Sequence, residues 1–227
     1  MQINHNSNIN FTARNKTIRF ADDIARKINQ VYPRISGSNV HDFKFITRNS
    51  PLLGKLSHKI YYLRENAQHS FQIMKRWEDR IKIIPNAIQK EKHGNCAESA
   101  FLAELAARAN GIENCYQARC ITPNDRRYDH VVLYVKDKKP YIIDPWLGFA
   151  DYVPKAIERY KKEFRQHFDF DRLRTEKMEF EKVDCYFRMR ELEGDTFFSQ
   201  KRTKTYQEIF PELVIHKQKP EKTNHTT

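Results

Sequence analysis

The amino-acid sequence predicts an α+β domain in which a central helix packs on an antiparallel sheet, with additional helices around it. Residues 97–110 (AESAFLAELAARAN) contain six alanines and two leucines and precede Gly111, a composition that favours a helix with a left-handed glycine cap. The three segments that follow are short and rich in Val, Ile and Tyr, as strands are: residues 115–122, 130–136 and 140–144. A helix followed by an antiparallel meander is typical of the α+β class.

Further elements are predicted on both sides of this core. Apolar residues at helical spacing predict helices over residues 17–30 and 59–81, and Pro85 is expected to break the chain after them. Beyond the core, residues 151–175 predict a charge-rich helix and residues 178–189 a strand. We therefore expect a flexible N-terminal arm (1–15), a single folded domain (16–215) and a polar C-terminal tail (216–227).

The composition argues against a membrane protein. Hydrophobic residues make up 39% of the 227 residues and charged residues 31%, and no apolar run reaches the roughly 18 residues of a spanning helix. We expect no membrane insertion. Residues 1–10 are polar and Asn-rich and lack the apolar segment of a secretory signal. We expect a cytoplasmic protein in the producing cell, which would leave that cell only by a route that needs no signal peptide.

The formal charge of +12 is concentrated in the first part of the chain. Residues 1–150 hold 24 Lys and Arg against 14 Asp and Glu, whereas residues 151–227 hold 17 against 15. A basic surface of this kind attracts nucleic acid, anionic membranes or acidic proteins, or serves only solubility. No RNA-binding signature, paired-cysteine finger or Gly-rich phosphate loop accompanies the charge, so nucleic acid is not the expected partner.

The four cysteines, at positions 96, 115, 120 and 185, are too few for a disulfide framework and are expected to be reduced. Cys115 and Cys120 are five residues apart and would face opposite sides of a strand. With His93 and Cys96 they match no common zinc spacing. We therefore predict neither a metal nor another cofactor, and a structural role for Cys185.

Cys96 is the cysteine with a distinctive setting, because Gly94-Asn95-Cys96 lies immediately before the Ala-rich helix. The unpaired N–H groups and the macrodipole at a helix N-terminus favour a thiolate. The same N–H groups can donate to an oxyanion formed on a substrate carbonyl. The alternative is that Cys96 is a small buried hydrophobe, although its position at the helix start favours the catalytic interpretation.

His130 and Asp144 are predicted to lie on one face of a hairpin. His130 begins one predicted strand and Asp144 ends the next. A three-residue loop at 136–138 pairs the two directly, and a loop centred one residue later makes them diagonal neighbours on the same face. With Cys96 on a helix packed across them, they would form the nucleophile, base and orienting carboxylate of a cysteine triad. The Trp146 indole, two residues further on, is expected to pack in the core.

The motifs GNCAESA, YDHVVLYV and YIIDPW, in this order, resemble the core of transglutaminase-like and papain-like Cys-His-Asp enzymes. The resemblance covers residues 94–148 and implies that Cys96, His130 and Asp144 are catalytic. Papain-type enzymes also carry a Gln shortly before the Cys that completes the oxyanion hole. Gln89 is the candidate here, although its spacing is one residue longer than the papain pattern, and Asn95 and the indole of Trp77 are alternatives.

The resemblance implies acyl transfer through a thioester on a protein substrate. Glutamine deamidation and transglutamination are the expected reactions, with papain-like proteolysis as the alternative. The chain also resembles small bacterial effector enzymes that modify host proteins, which implies delivery to a host cell and a host substrate with an acidic surface. A different class of function is a non-catalytic module that binds protein or nucleic acid through the basic surface; such a nucleic-acid complex would depend steeply on salt.

Iodoacetamide should alkylate Cys96 faster than the other three cysteines at about pH 6–7, because a helix N-terminus increases the thiolate fraction. Peptide mapping after brief labelling measures the four rates. Equal labelling of all four, or preferential labelling of Cys185, would contradict the nucleophile assignment.

Overall fold

A computed structural model of the chain describes residues 16–32, 51–73, 76–92, 94–122, 125–168, 178–183 and 200–216. The predicted arm at 1–15, nearly all of the predicted tail, His93 and Cys185 lie outside the described residues. The described elements form a mixed α+β structure, as the sequence predicts.

Four helices precede the residues of the candidate triad. They are α1 (Lys16–Val31), α2 (Pro51–Ile73), the one-turn α3 (Trp77–Arg80) and α4 (Ile83–Glu91). The Ala-rich segment forms α5 (Cys96–Ala109), and Gly111 beyond its end has a φ of 82°, in the left-handed region that suits glycine.

Five antiparallel strands follow α5 and form one sheet in the order β4-β3-β2-β1-β5. The strands are β1 (Cys115–Thr122), β2 (Asp125–Val135), β3 (Tyr141–Asp144), β4 (Phe149–Tyr152) and β5 (Glu179–Lys182). Helix α6 (Val153–Phe168) connects β4 to the segment before β5. Helix α7 (Gln200–Ile209) and a short 3-10 helix (Pro211–Leu213) end the described chain.

The two faces of the sheet pack against different helices. Side chains that include Leu133 of β2 and Ile143 of β3 join the larger core with α1 and α5. The opposite face, which includes Val132 and Ile142, packs on Ala156 and Tyr160 of α6 in a second core. Because successive strand residues point to opposite faces, His130 and Asp144 belong to the α6 face. The sheet is therefore covered by helices on both sides.

Three sequence predictions for the flanking elements are wrong. Residues 59–81 do not form one helix, because α2 ends at Ile73 and a separate turn follows. Pro85 does not break the chain but occupies the first turn of α4, where a helix needs no N–H from that residue. The helix predicted from residue 151 starts at Val153, because Asp151 and Tyr152 complete the edge strand β4.

The β2–β3 hairpin has the one-face geometry that the sequence predicts. Val135 pairs with Tyr141 and Leu133 with Ile143, so five residues form the loop rather than three. An odd loop centred on Lys138 makes His130 and Asp144 diagonal neighbours on one face. Both residues lie beyond the paired stretch, at the end of the hairpin where α5 begins.

Asp22 joins the first helix to the last strand of the meander. Its Oδ1 accepts a hydrogen bond from the N–H of Ala150 at 2.6 Å, and the aspartate is only 9% exposed. Burying a backbone N–H without a partner is costly, so the carboxylate stabilises β4 at the edge of the sheet.

Among the described residues, none of the helices combines the length and the apolar character that a membrane span requires.

Asp22→Ala should lower the free energy of unfolding by about 1–3 kcal/mol, because it leaves the Ala150 N–H buried without its acceptor. Asp22→Asn retains an amide oxygen at the same place and should cost less. Urea denaturation of the three proteins measures the difference. Equal losses for the two variants would show that the acceptor does not matter.

Candidate active site

Cys96 is the first residue of α5, and the helix start is fixed by a capping box. Asn95 is the N-cap, and its Oδ1 accepts from the N–H of Cys96 at 2.8 Å and from the N–H of Glu98. In return the Glu98 carboxylate accepts from the N–H of Asn95 at 2.8 Å. The reciprocal bonds satisfy groups that a helix end leaves unpaired, so the position of Cys96 is well determined.

Glu98 also ties the start of α5 to α2. Its side chain is fully buried, and its Oε1 accepts from Nε of Arg64 at 3.1 Å. A buried carboxylate needs such partners, because leaving it uncompensated would cost several kcal/mol. The capping residue thus connects the turn that carries Cys96 to the body of α2.

His130 and Asp144 form a buried hydrogen-bonded pair. Nε2 of His130 lies 2.7 Å from Oδ2 of Asp144, and the side chains are 4% and 1% exposed. The Asp144 Oδ1 accepts from the N–H of Leu147 at 3.0 Å, in the turn that follows β3. The hydroxyl of Tyr160 on α6 donates to Oδ2, also at 3.0 Å. Three donors therefore hold the carboxylate in place.

The imidazole also contacts the cysteine. His130 is hydrogen-bonded to Cys96, and since Nε2 faces Asp144, Nδ1 is the nitrogen left for the sulfur. Burial alone lowers the pKa of His130, but the charge and hydrogen bond of Asp144, with a contribution from Cys96, raise it to about 10. This environment favours an imidazolium beside the sulfur.

Aromatic rings enclose the histidine. The ring centroid of Trp146 lies 5.0 Å from that of His130, and Tyr160 meets the imidazole edge-on at 5.4 Å. Trp146 also packs with Cys96 and Val131 in a small apolar cluster. The prediction that Trp146 packs is thus consistent with the structure, but its buried Nε1 has no hydrogen-bond partner among the described residues.

Contrary to expectation, helix α5 does not pack on the sheet face that carries His130 and Asp144. The sequence analysis placed the Cys96 helix across His130 and Asp144, but the body of α5 packs on the opposite sheet face, against Leu133 and Ile143. Only the first turn of the helix meets the histidine, beyond the paired part of the hairpin. The difference arises because side chains alternate along a strand, which directs His130 and Asp144 towards α6.

The three side chains considered for the oxyanion hole lie in different places relative to Cys96. Gln89 lies on α4 with an exposed side chain. Asn95 is adjacent to the thiol, but its carbonyl oxygen serves the helix cap. Trp77 begins α3, and its side chain lies outside the described part of the structure. The N–H of Cys96 donates to Asn95 Oδ1 at 2.8 Å, so an oxyanion at this position would compete with the cap for that donor.

The other cysteines of the described chain lie in unreactive surroundings. Cys115 is buried in the core and its thiol donates to the carbonyl of Ile112 at 3.3 Å. Burial and the nearby Asp144 charge raise the pKa of Cys120 to about 12. Neither thiol is part of a disulfide, and no group of three potential metal ligands occurs among the residues that the structure describes.

The sequence analysis missed two residues of the site. Tyr160 donates a hydrogen bond to Asp144 from α6, and no local sequence pattern predicts that contact. The spacing of Ala156 and Tyr160, four residues apart, predicts only that they share a buried helix face. Glu98 could have been found, because Asn95 followed three residues later by Glu is the pattern of a capping box.

Comparisons of the chain with protein-family models, with curated proteins and with solved structures found no match.

Asn95→Ala should destabilise the protein by about 1 kcal/mol and slow alkylation of Cys96, because it removes the cap that fixes the first turn of α5. Asn95→Ser is the matched control, since serine is an equally good N-cap. Urea denaturation and timed alkylation test both effects. If the Ser and Ala variants behave alike, the cap does not position the thiol.

Proposed function

We propose that this chain is a cysteine-dependent acyl-transfer enzyme with a papain/transglutaminase-like catalytic core. The observation that carries the proposal is the hydrogen-bonded series from Cys96 through His130 to Asp144. Nucleophile, base and orienting carboxylate are the three roles that thiol catalysis requires, and each residue has the partners that its role needs.

In the first half of the reaction, Cys96 gives its proton to His130 and the thiolate attacks a substrate carbonyl carbon. The developing oxyanion accepts from backbone N–H groups at the start of α5. When the tetrahedral intermediate collapses, the C–N bond breaks and the imidazolium gives its proton to the departing amine. A thioester joins the acyl group to Sγ, and Asp144 keeps the ring oriented throughout.

In the second half, a second nucleophile clears the thioester. Neutral His130 takes a proton from a water molecule or an amine, which attacks the acyl carbon, and Sγ leaves as thiolate. Water yields a carboxylic acid, and an amine yields a new amide. The same residues therefore support deamidation and transglutamination, and the acceptor decides the product.

The burial of the site favours the glutamine side chain as the acyl donor. Cys96 is 7% exposed and His130 4%, so little of either reacting side chain is open to solvent. A carboxamide at the end of a flexible side chain reaches such a thiol more easily than a main-chain carbonyl flanked by two residues. The leaving group is then ammonia. Proteolysis is the alternative, since its acyl-enzyme chemistry is the same.

The substrate we propose is a protein with an acidic surface, because the chain carries a formal charge of +12. For a bacterial effector, this would be a protein of the host cell. The same charge is the basis of the competing proposal, a non-catalytic binding module, in which Cys96 would have no chemical role.

The reaction class can be determined by treating a eukaryotic cell extract with the protein in ¹⁸O-labelled water. Deamidation adds roughly 3 Da to individual glutamines, because hydrolysis of the thioester replaces the amide NH₂ with labelled hydroxyl. Proteolysis puts the label on new C-termini, and transglutamination gives unlabelled conjugates. Cys115→Ala is the matched thiol control, because it leaves the site intact.

Cys96→Ala and His130→Ala should each abolish the modification, with a loss of at least about 100-fold, whereas Asp144→Ala should retain more activity. The carboxylate orients and charges the ring but forms no bond to the substrate. Thermal melts must accompany the assays, since Asp144 also binds the turn after β3. A modification that survives Cys96→Ala at full strength would favour the binding module.

A further inference from the structure

The Asp144 carboxylate shares one oxygen between two donors. Oδ2 faces His130 Nε2 at 2.7 Å and accepts the Tyr160 hydroxyl at 3.0 Å, while Oδ1 is bonded separately to the N–H of Leu147. The imidazole and the phenol therefore compete for the charge of the same atom. A carboxylate oxygen that stabilises a second donor stabilises an adjacent imidazolium less.

Tyr160 is held firmly in this position. It is fully buried on α6, its ring packs at 5.4 Å from both His130 and Phe149, and it belongs to the core beneath the α6 face. Burial, followed by the charge of Asp144, raises the pKa of Tyr160 well above its usual value. The phenol thus remains a neutral hydrogen-bond donor at physiological pH.

The reaction places opposite demands on His130. A strongly stabilised imidazolium favours the thiolate, but it is a poor acid for the nitrogen that must leave. An additional donor on Asp144 reduces that stabilisation without removing the carboxylate. The hydrogen bond from the Tyr160 hydroxyl to Asp144 therefore weakens the stabilisation of the His130 imidazolium.

We propose that Tyr160 is a positioning residue that acts through Asp144, limiting how tightly the carboxylate holds the His130 imidazolium so that the ring can protonate the leaving amine. This inference rests on the acyl-transfer function proposed above. Tyr160 touches Asp144 and the edge of the imidazole, and we assign it no contact with substrate.

The groups that influence His130 come from every element around it. Cys96 of α5 and Asp144 of β3 act on His130 directly. Asp144 in turn acts on Cys120 of β1 and on Tyr160 of α6, and the charge of Arg159 acts on Tyr160. Of these, Tyr160 can lose its polar group with the least change in shape, because phenylalanine keeps the ring.

Tyr160→Phe should raise the His130 titration midpoint by about half a unit to one unit, since Asp144 Oδ2 then serves the imidazole alone. Imidazole NMR measures this shift and needs no substrate. The titration is made in a Cys96→Ala background, because the thiol itself raises the pKa of His130. Tyr134→Phe, on the same sheet face, is the matched control and should leave the midpoint unchanged. No upward shift in the Tyr160 variant would overturn the proposal.

Leaving groups provide the second test, made with Cys96 present. A p-nitrophenyl ester needs no proton on its leaving group, whereas the amide of an N-protected Gln-Gly dipeptide does. Tyr160→Phe should slow ammonia release from the dipeptide several-fold and leave nitrophenol release unchanged. Equal slowing of both would indicate a structural role and overturn the proposal. A wild-type protein that reacts with neither probe would instead count against the enzyme function, and the His130 titration would still decide the role of Tyr160.

Discussion

A carboxylate that is removed entirely from solvent organises this structure. Asp144 is fully buried, and a charge in that position is tolerated only when hydrogen bonds replace its lost hydration. Its donors come from three parts of the chain: His130 on β2, the turn at Leu147 and Tyr160 on α6. The hairpin, the turn and the covering helix must therefore all be in place before the charge is satisfied, so the site and the fold stabilise each other.

A second buried carboxylate, that of Glu98, holds the start of α5, where the Cys96 thiol lies. Glu98 completes the capping box with Asn95 and pairs with Arg64 of α2, so Cys96 occupies a helix turn that is fixed from two sides. The cap and the reactive group are neighbours in sequence. The same few hydrogen bonds therefore stabilise the start of the helix and position the sulfur. The proposed chemistry thus depends on correct local folding.

The two cores on either side of the sheet explain how distant helices reach one site. The body of α5 packs on one face and α6 on the other, and they approach each other only beyond the paired part of the hairpin. There Cys96 meets His130 from one side while Tyr160 meets Asp144 from the other. Trp146 fills the remaining space against the histidine. The imidazole is consequently buried, with aromatic rings packed against it on both sides of the site.

Local composition and spacing are enough to predict several features of this protein. Alanine content and Gly111 predict α5, and the separation of 14 residues puts His130 and Asp144 on one face of a hairpin with an odd loop, because strand geometry has a period of two. Tertiary structure decided the rest. Pro85 fits a helix only because it falls in the first turn, and β4 forms at Asp151 because β3 and Asp22 bind it. The third donor on Asp144 comes from Tyr160, whose helix reaches the site only through packing on the sheet, and no local pattern encodes that contact.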